Sequence, residues 1–354
     1  MTPVIDQQPR PRQAFRADRS AQAARGVLKA AWWGMAGMAA RMVAGAGRSR
    51  PEGFAPAQPP PPDGFVRRTW REAFVKDARD VAAGLYPPMA DEPVTISGAA
   101  DVVADAREVE RRRRAGGATE ARDDSADGRG YPVYYRQNFH FQTGGWFTPA
   151  SARRYEGQVE VLFAGAAGPM RRRALSLLAA RWRGRDHRGL RILDLACGSG
   201  AFLSDLGATF PRAQIFGLDL SPAYLAEAGR RPGPRSLVQA NAERLPFADG
   251  SLDAVTCVYL FHELPPRVRS VVAMEIARVL KPRGLFAFAD SIQPTDEPRL
   301  GRLLEAFPAY FHEPYYAGYC ATDLPALFAD VGLTLGAQDT AFLTKAMLFE
   351  KGDA

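Results

Sequence analysis

The second half of the chain alternates short apolar runs with stretches whose apolar residues recur at helical spacing. Strands that alternate with helices predict crossover connections and a parallel sheet. The last two runs, 333–339 and 341–350, are too close in sequence for a crossover and predict an antiparallel hairpin at the sheet edge. The pattern predicts an α/β fold with a mostly parallel sheet, whose five earlier strands are RILDLAC, AQIFGLDL, RSLVQAN, LDAVTCVYLF and GLFAFADS.

In the first half of the chain, the only regular pattern of apolar residues is one with helical spacing. Apolar residues recur at helical spacing over 69–85, and a second helix is predicted over 98–114. A single long helix is predicted over 149–185, directly before the first strand. Residues 65–130 therefore form a helical extension to a domain predicted to span 131–354.

Residues 1–64 are predicted to be a basic, Pro-rich and disordered arm. Residues 1–60 contain nine Lys and Arg against three Asp and Glu, so most of the net charge of +7 lies there. Because the excess lies outside the predicted domain, it does not indicate a nucleic-acid partner. The three cysteines are too few for a disulfide framework and show no CxxC spacing, which favours a cytoplasmic location and no bound metal.

One segment of the arm has an alternative interpretation. Residues 30–47 are rich in Ala and Gly and are interrupted by Arg41, which is atypical of a membrane span. Trp32, Trp33 and the three methionines nearby, flanked by Lys29 and Arg41, are compatible with a helix over 27–46 that lies on an anionic membrane surface. An Arg-rich, acid-poor arm is also compatible with organelle targeting.

The segment RILDLACGSGAF, residues 191–202, carries the most specific chemistry. A strand runs into a turn with Gly198 and Gly200, and the helix that follows presents unpaired N–H groups to a ligand. Leu203 stands where a dinucleotide-binding turn would need its third glycine. Asp194 precedes the turn, and its carboxylate suits an ammonium or sulfonium better than a pyrophosphate. Asp219 ends the second strand, where a carboxylate accepts ribose hydroxyls or caps the next helix.

The segments LDLACGSG, FGLDLSP, NAERLPFADGSLDAV and EIARVLKPRG resemble, in order and spacing, the motifs of class I S-adenosylmethionine (SAM)-dependent methyltransferases. The most similar subgroup includes the ubiquinone and menaquinone C-methyltransferases. The resemblance covers residues 190–350. It implies a Rossmann-like sheet and SAM as the cofactor.

The resemblance also implies roles for individual residues. The amino-acid part of SAM is expected near Asp194, Ala196, Gly198, Ser199 and Gly200, and the ribose at Asp219. Leu220 is expected against the adenine, and Tyr259 near the transferred methyl. The adenine edge is expected at Asn241 and Ala242, with Glu243 close by, although the family often has Asp at the position of Asn241.

His262, at the mouth of the fourth strand, is the candidate general base, with His140 and His312 as alternatives. Two aromatic clusters, 134–147 and 307–319, are predicted either to form a lid over the strand ends or to be ordinary core. We expect methyl transfer to a small, apolar or aromatic acceptor. The alternatives are a protein or RNA methyltransferase and a SAM-binding regulatory protein without turnover. The pattern does not specify the oligomeric state.

Overall fold

The computed structural model describes residues 19–43, 54–88, 96–115, 131–233 and 236–353. Seven strands form one sheet in the order β3-β2-β1-β4-β5-β7-β6. All neighbouring pairs from β3 to β5 are parallel, and β7 pairs antiparallel with both β5 and β6. The predicted α/β class, the parallel sheet and the edge hairpin are confirmed. The strands are β1 (Arg191–Leu195), β2 (Gln214–Asp219), β3 (Ser236–Gln239), β4 (Leu252–Val258), β5 (Leu280–Ser291), β6 (Leu333–Ala341) and β7 (Thr344–Lys351).

Helices cover both faces of the sheet. They are α1 (Arg19–Val43), α2 (Phe65–Ala82), α3 (Ile96–Ala115), α4 (Pro149–Leu162), α5 (Ala167–Arg181), α6 (Ala201–Thr209), α7 (Pro222–Ala228), α8 (Pro266–Val279), α9 (Gly301–Tyr310), α10 (Tyr316–Cys320) and α11 (Leu324–Ala329). One apolar core packs α8 and α11 against one face, and a second packs α5 and α6 against the other. Because β1 and β4 are central, their carboxyl ends lie where loops from both faces converge.

The long helix predicted over 149–185 is wrong, because the chain breaks between α4 and α5. Ala164 (φ 49°) and Gly165 (φ 84°) are both in the left-handed region, which ends α4 and redirects the chain. The break lets α4 cross the carboxyl ends of the strands while α5 packs against the sheet.

The prediction of a disordered arm is wrong for residues 19–43, which form α1. One face of α1 is buried: Trp33 is 1% exposed, and Lys29 Nζ donates to Glu160 Oε1 of α4 at 2.7 Å. Lys29 is therefore not a solvent-exposed flank of a membrane-facing helix. Residues 1–18 of the predicted arm, and residues 116–130 of the predicted extension, lie outside the described residues.

The helical extension packs closely on the sheet domain. Asp77 of α2 accepts two hydrogen bonds from Arg172 of α5, at 2.7 and 2.9 Å, and both side chains are buried. Arg173 pairs with Asp80 in the same interface. Removing one partner of a buried pair leaves an uncompensated charge, so these contacts tie α2 to α5. The boundaries at residues 64 and 130 stay predictions.

Candidate active site

The glycine turn after β1 is built from left-handed backbone. Ala196, Gly198 and Gly200 have φ values of 56°, 53° and 80°. A Cβ on Gly200 would lie 2.8 Å from the Ala228 Cβ, so α7 can approach the turn only because this residue is glycine. The turn therefore opens α6 with its N–H groups facing the carboxyl end of the sheet.

Asp219 is held by backbone donors from both sides. Gly198 N donates to its Oδ2 at 2.9 Å, and Ser221 N donates to its Oδ1 at 2.8 Å. Ser221, the first residue outside α7, accepts from Tyr224 N and is the helix cap. Each carboxylate oxygen of Asp219 keeps a further lone pair, so it can still accept from two ligand hydroxyls.

Asp194 is buried behind the turn. Its side chain is 2% exposed, and Oδ1 accepts from Thr256 Oγ1 at 2.8 Å. Its Oδ2 has no hydrogen-bond partner among the residues that the structure describes. Burial raises the pKa of Asp194 to about 7. A buried carboxylate oxygen without a donor fits a ligand that brings a positive charge or an N–H group.

A cavity of about 800 Å³, including the space at its mouth, opens at the ends of β1, β2 and β4. Seven of the residues predicted to bind the cofactor are in its wall: Ala196, Gly198, Asp219, Leu220, Asn241, Ala242 and Tyr259. Four others, Asp194, Ser199, Gly200 and Glu243, lie just behind the wall or beside it. Glu243 holds two residues of the cavity wall in place. Its carboxylate accepts a hydrogen bond from Tyr134 Oη at 2.8 Å and one from Asn241 Nδ2 at 3.0 Å.

Sequence reasoning missed the support beneath Ser199. Ser199 Oγ donates to Glu156 Oε1 at 2.6 Å, and Arg171 Nη1 donates to Glu156 Oε2 at 2.8 Å. Glu156 is in α4 and Arg171 is in α5, and all three side chains are buried. In the sequence, Glu156 and Arg171 are visible only as charged residues within segments predicted to be helical.

The two aromatic clusters meet over the strand ends. His140 and Phe307 have ring centroids 6.1 Å apart, and His312 Nε2 lies 2.8 Å from Gln137 Oε1. Phe139 and Trp146 of the first cluster line the cavity. His140 and Phe141 have φ values of 55° and 56°, which is left-handed backbone for residues with side chains. Phe139 and Trp146 also belong to a small buried apolar cluster, so the lid and the core interpretation both stay predictions.

A second cavity of about 620 Å³, including open space, adjoins the first. The two share Tyr155, Tyr259 and Glu263. His262 lines only the second, and its Nδ1 lies 2.6 Å from Asp290 Oδ1. Burial disfavours the imidazolium, but the Asp290 carboxylate outweighs this and raises the pKa of His262 to about 10.

Further titratable groups surround the second cavity. Burial raises the pKa of Glu313 to about 8, and its carboxylate oxygens have no hydrogen-bond partner among the described residues. His140 Nε2 lies 3.3 Å from Glu313 Oε1, and burial lowers the pKa of His140 to about 3. Burial also raises the pKa of Glu263. The Asp290 carboxylate thus makes His262 more basic, whereas burial makes His140 less basic.

Comparison with known proteins agrees with this geometry. Residues 193–288 match a family model described as a methyltransferase domain. The chain is 36% identical to a demethylmenaquinone methyltransferase of Beutenbergia cavernae, over 42% of this chain and 57% of that one. It is 39% identical to a fatty-acid O-methyltransferase of Mycolicibacterium smegmatis, over 35% and 45%. The matches thus span about half the length of these curated relatives.

Among solved structures, a putative sarcosine dimethylglycine methyltransferase from Galdieria sulphuraria aligns over 54% of this chain and 88% of its own, with 19% identity and a TM-score of 0.39.

The strand order, the glycine turn and Asp219 at the end of β2 define a class I methyltransferase fold. With the matched motifs over residues 193–288, this fold supports a class I SAM-dependent methyltransferase.

Proposed function

We propose that the protein transfers a methyl group from SAM to a small, apolar or aromatic acceptor that carries an ionisable hydroxyl. The observation that carries the proposal is the pair of adjoining cavities, which share Tyr155, Tyr259 and Glu263. The first cavity has the hydrogen-bond donors and carboxylates that suit a charged nucleoside. The second cavity is mainly apolar and has the basic side chain of His262 in its wall.

The residues of the first cavity fit SAM. Asp219 would hold the ribose, Asp194 Oδ2 the ammonium, and Leu220 and Ala242 the adenine. SAM supplies a methyl group on a sulfonium, an electrophile that needs no metal or acid catalyst to react. The protein's contribution is therefore to place the acceptor, exclude water and remove a proton.

His262 is the residue that we assign to the proton. Its pKa of about 10 is close to that of a phenol, about 10, so transfer of a phenolic proton to it is nearly balanced in free energy. Asp290 orients the ring through Nδ1 and leaves Nε2 for the acceptor. The acceptor atom itself stays unassigned.

The structure offers little room for a macromolecular acceptor. His262 is 6% exposed, and the second cavity is walled by Phe307, Tyr316 and Leu343 from one side and by α4 from the other. A protein or RNA substrate would have to reach His262 through the lid. This favours the small-molecule proposal over the protein or RNA alternative.

We also propose that α1 contacts an anionic membrane surface, on the exposed face opposite Trp33. Leu28, Met35, Met38 and Met42 recur every three to seven residues and are 54–71% exposed. Among the described residues, no helix is both long and apolar enough to cross a bilayer. A cytoplasmic location stays a prediction.

Binding of S-adenosylhomocysteine (SAH) to the full chain by calorimetry tests the cofactor assignment. Transfer of label from methyl-labelled SAM to lipid, quinone, RNA and protein fractions then tests the acceptor class. Label in a small organic-soluble product supports the proposal, and label confined to RNA or protein refutes it. SAH binding with no labelled product in any fraction supports a regulatory role instead.

Co-sedimentation with vesicles tests the membrane contact. We expect the full chain to sediment with vesicles rich in anionic lipid, and Met35→Glu/Met38→Glu to abolish this without affecting SAH binding. Sedimentation that the double variant retains would show the assignment of this face to be wrong.

A further inference from the structure

A third cavity lies on the far side of the second, between the N-terminal helices and α4. Its wall is formed by Gly37 and Ala40 of α1, Val102 and Ala106 of α3, and Val161 of α4. It encloses about 1140 Å³, including the space at its mouth. The helices α1 and α3 precede residues 193–288, the segment that matches the methyltransferase family.

The third cavity adjoins the second. His140, Tyr155, Val159 and Leu162 line both. Tyr155 also lines the first cavity, so one side chain borders all three. A ligand whose reactive end lies near His262 would have to pass Val159 and Leu162 to reach the space between α1 and α3.

The chemistry of the wall changes along this path. His262, Glu263 and Ser291 give the second cavity polar groups at the end next to the cofactor site. The third cavity is mainly aliphatic, and three of its polar residues already have partners. Glu110 is bonded to Arg113, Gln158 donates to Asp105, and Gln142 donates to the Gly145 carbonyl. A polar end followed by a long apolar passage matches an amphiphile with one head and one hydrocarbon tail.

We propose that the third cavity binds the hydrocarbon tail of the acceptor, while its head occupies the second cavity. This proposal rests on the proposed function, because it needs the acceptor head beside His262. It narrows the acceptor to molecules with a long acyl, alkyl or prenyl chain. It also assigns a function to α1 and α3: they bury the tail and so select acceptors by chain length.

The test uses 4-methylphenol, 4-butylphenol and 4-octylphenol as probes of the full chain saturated with SAH. Burial of one methylene increases affinity about fourfold. We expect 4-octylphenol to bind at least about tenfold more tightly than 4-butylphenol, measured by calorimetry.

Two variants fill the third cavity from opposite sides. Ala40→Phe adds a ring from α1, and Ala106→Phe adds one from α3. We expect each variant to bind 4-octylphenol no more tightly than 4-butylphenol. Its affinity for 4-methylphenol should stay within about twofold of that of the unmodified chain. Ala31→Phe is the matched control, because Ala31 is exposed on α1 and does not line the cavity, and it should keep the gain.

SAH binding separates the possible failures. A chain that binds SAH but binds all three phenols equally, or an Ala40→Phe variant that keeps the octyl gain, overturns the tail site alone. Failure of the unmodified chain to bind SAH overturns the proposed function as well. A filled variant that loses SAH binding has misfolded and is replaced by Ala40→Leu, for which a smaller loss of the octyl gain is expected.

Discussion

His262 Nδ1 lies 2.6 Å from Asp290 Oδ1, and the backbone N–H of His262 donates to the other Asp290 oxygen at 3.3 Å. Asp290 ends the core of β5 and is fully buried. The carboxylate thus fixes the ring and makes it more basic at the edge of the second cavity. A pairing of this kind is common where histidine removes a proton from a substrate.

The first prediction concerns the pH dependence of methyl transfer. His262 accepts a proton only when neutral, so we expect the rate to rise with pH from 7 toward the pKa of about 10. Asp290→Asn removes the charge that raises this pKa, so the rate should level off at a lower pH. The measurement is single-turnover transfer with the acceptor identified by the labelling screen.

Two controls accompany this measurement. His262→Gln should lower the rate by about 10²–10⁴-fold, which is the usual contribution of a general base. Asp330→Asn, at an exposed position, should leave both rate and profile unchanged. An Asp290→Asn profile that superimposes on that of the unmodified chain would refute the assignment.

The second prediction concerns the ribose site. Asp219→Ala removes acceptors for two hydroxyls, and each charged hydrogen bond contributes about 1.5–3 kcal/mol. We expect the affinity for SAH to fall by tenfold or more in calorimetry. Asp330→Ala serves as the control. An unchanged affinity in Asp219→Ala would mean that this carboxylate only accepts from the backbone of Gly198 and Ser221.

The third prediction follows from the raised pKa of Asp194. Its carboxyl is ionised only above about pH 7, and an ammonium binds the ionised form. The affinity for SAH should therefore increase between pH 6 and pH 8. Asp194→Asn is neutral throughout, so its affinity should be lower at pH 8 and nearly independent of pH. Equal pH dependence in both proteins would place the ammonium elsewhere.

The fourth prediction separates backbone strain from steric contact at the glycine turn. Gly200 and Gly184 have nearly equal φ values, 80° and 77°, but only Gly200 would place a Cβ against a neighbour. Gly184→Ala should cost about 1–2 kcal/mol of stability from left-handed backbone alone. Gly200→Ala should cost about 1–3 kcal/mol more from overpacking against Ala228, measured by urea unfolding. Equal losses would show that α7 moves away freely.

Local patterns were enough to predict the sheet and the first cavity. The Asp194, Gly198 and Asp219 positions are defined by strands and turns of a few residues, so their neighbours in sequence identify them. The second cavity is different, because His262 acquires its basicity from Asp290 and its surroundings from His140 and Glu313. Those contacts join segments far apart in sequence, and no spacing rule predicts them.

The error over residues 19–43 has the same origin. The basic, Pro-rich composition of the arm predicted disorder, whereas the partner that holds Lys29 is Glu160, which is 131 residues away. The break at Ala164 and Gly165 has a different origin. It was missed because apolar residues recur on both sides of it, although Gly165, Gly168 and Pro169 are a local signal for a helix boundary.

Glu156 and Glu160 are one turn apart on the same face of α4. The first supports Ser199 in the glycine turn, and the second neutralises Lys29 of α1. An isolated fragment beginning at residue 131 would therefore retain every motif of the family and lack the Lys29 ammonium that Glu160 accepts from. Such a fragment is a poor substitute for the whole chain in any assay of cofactor affinity.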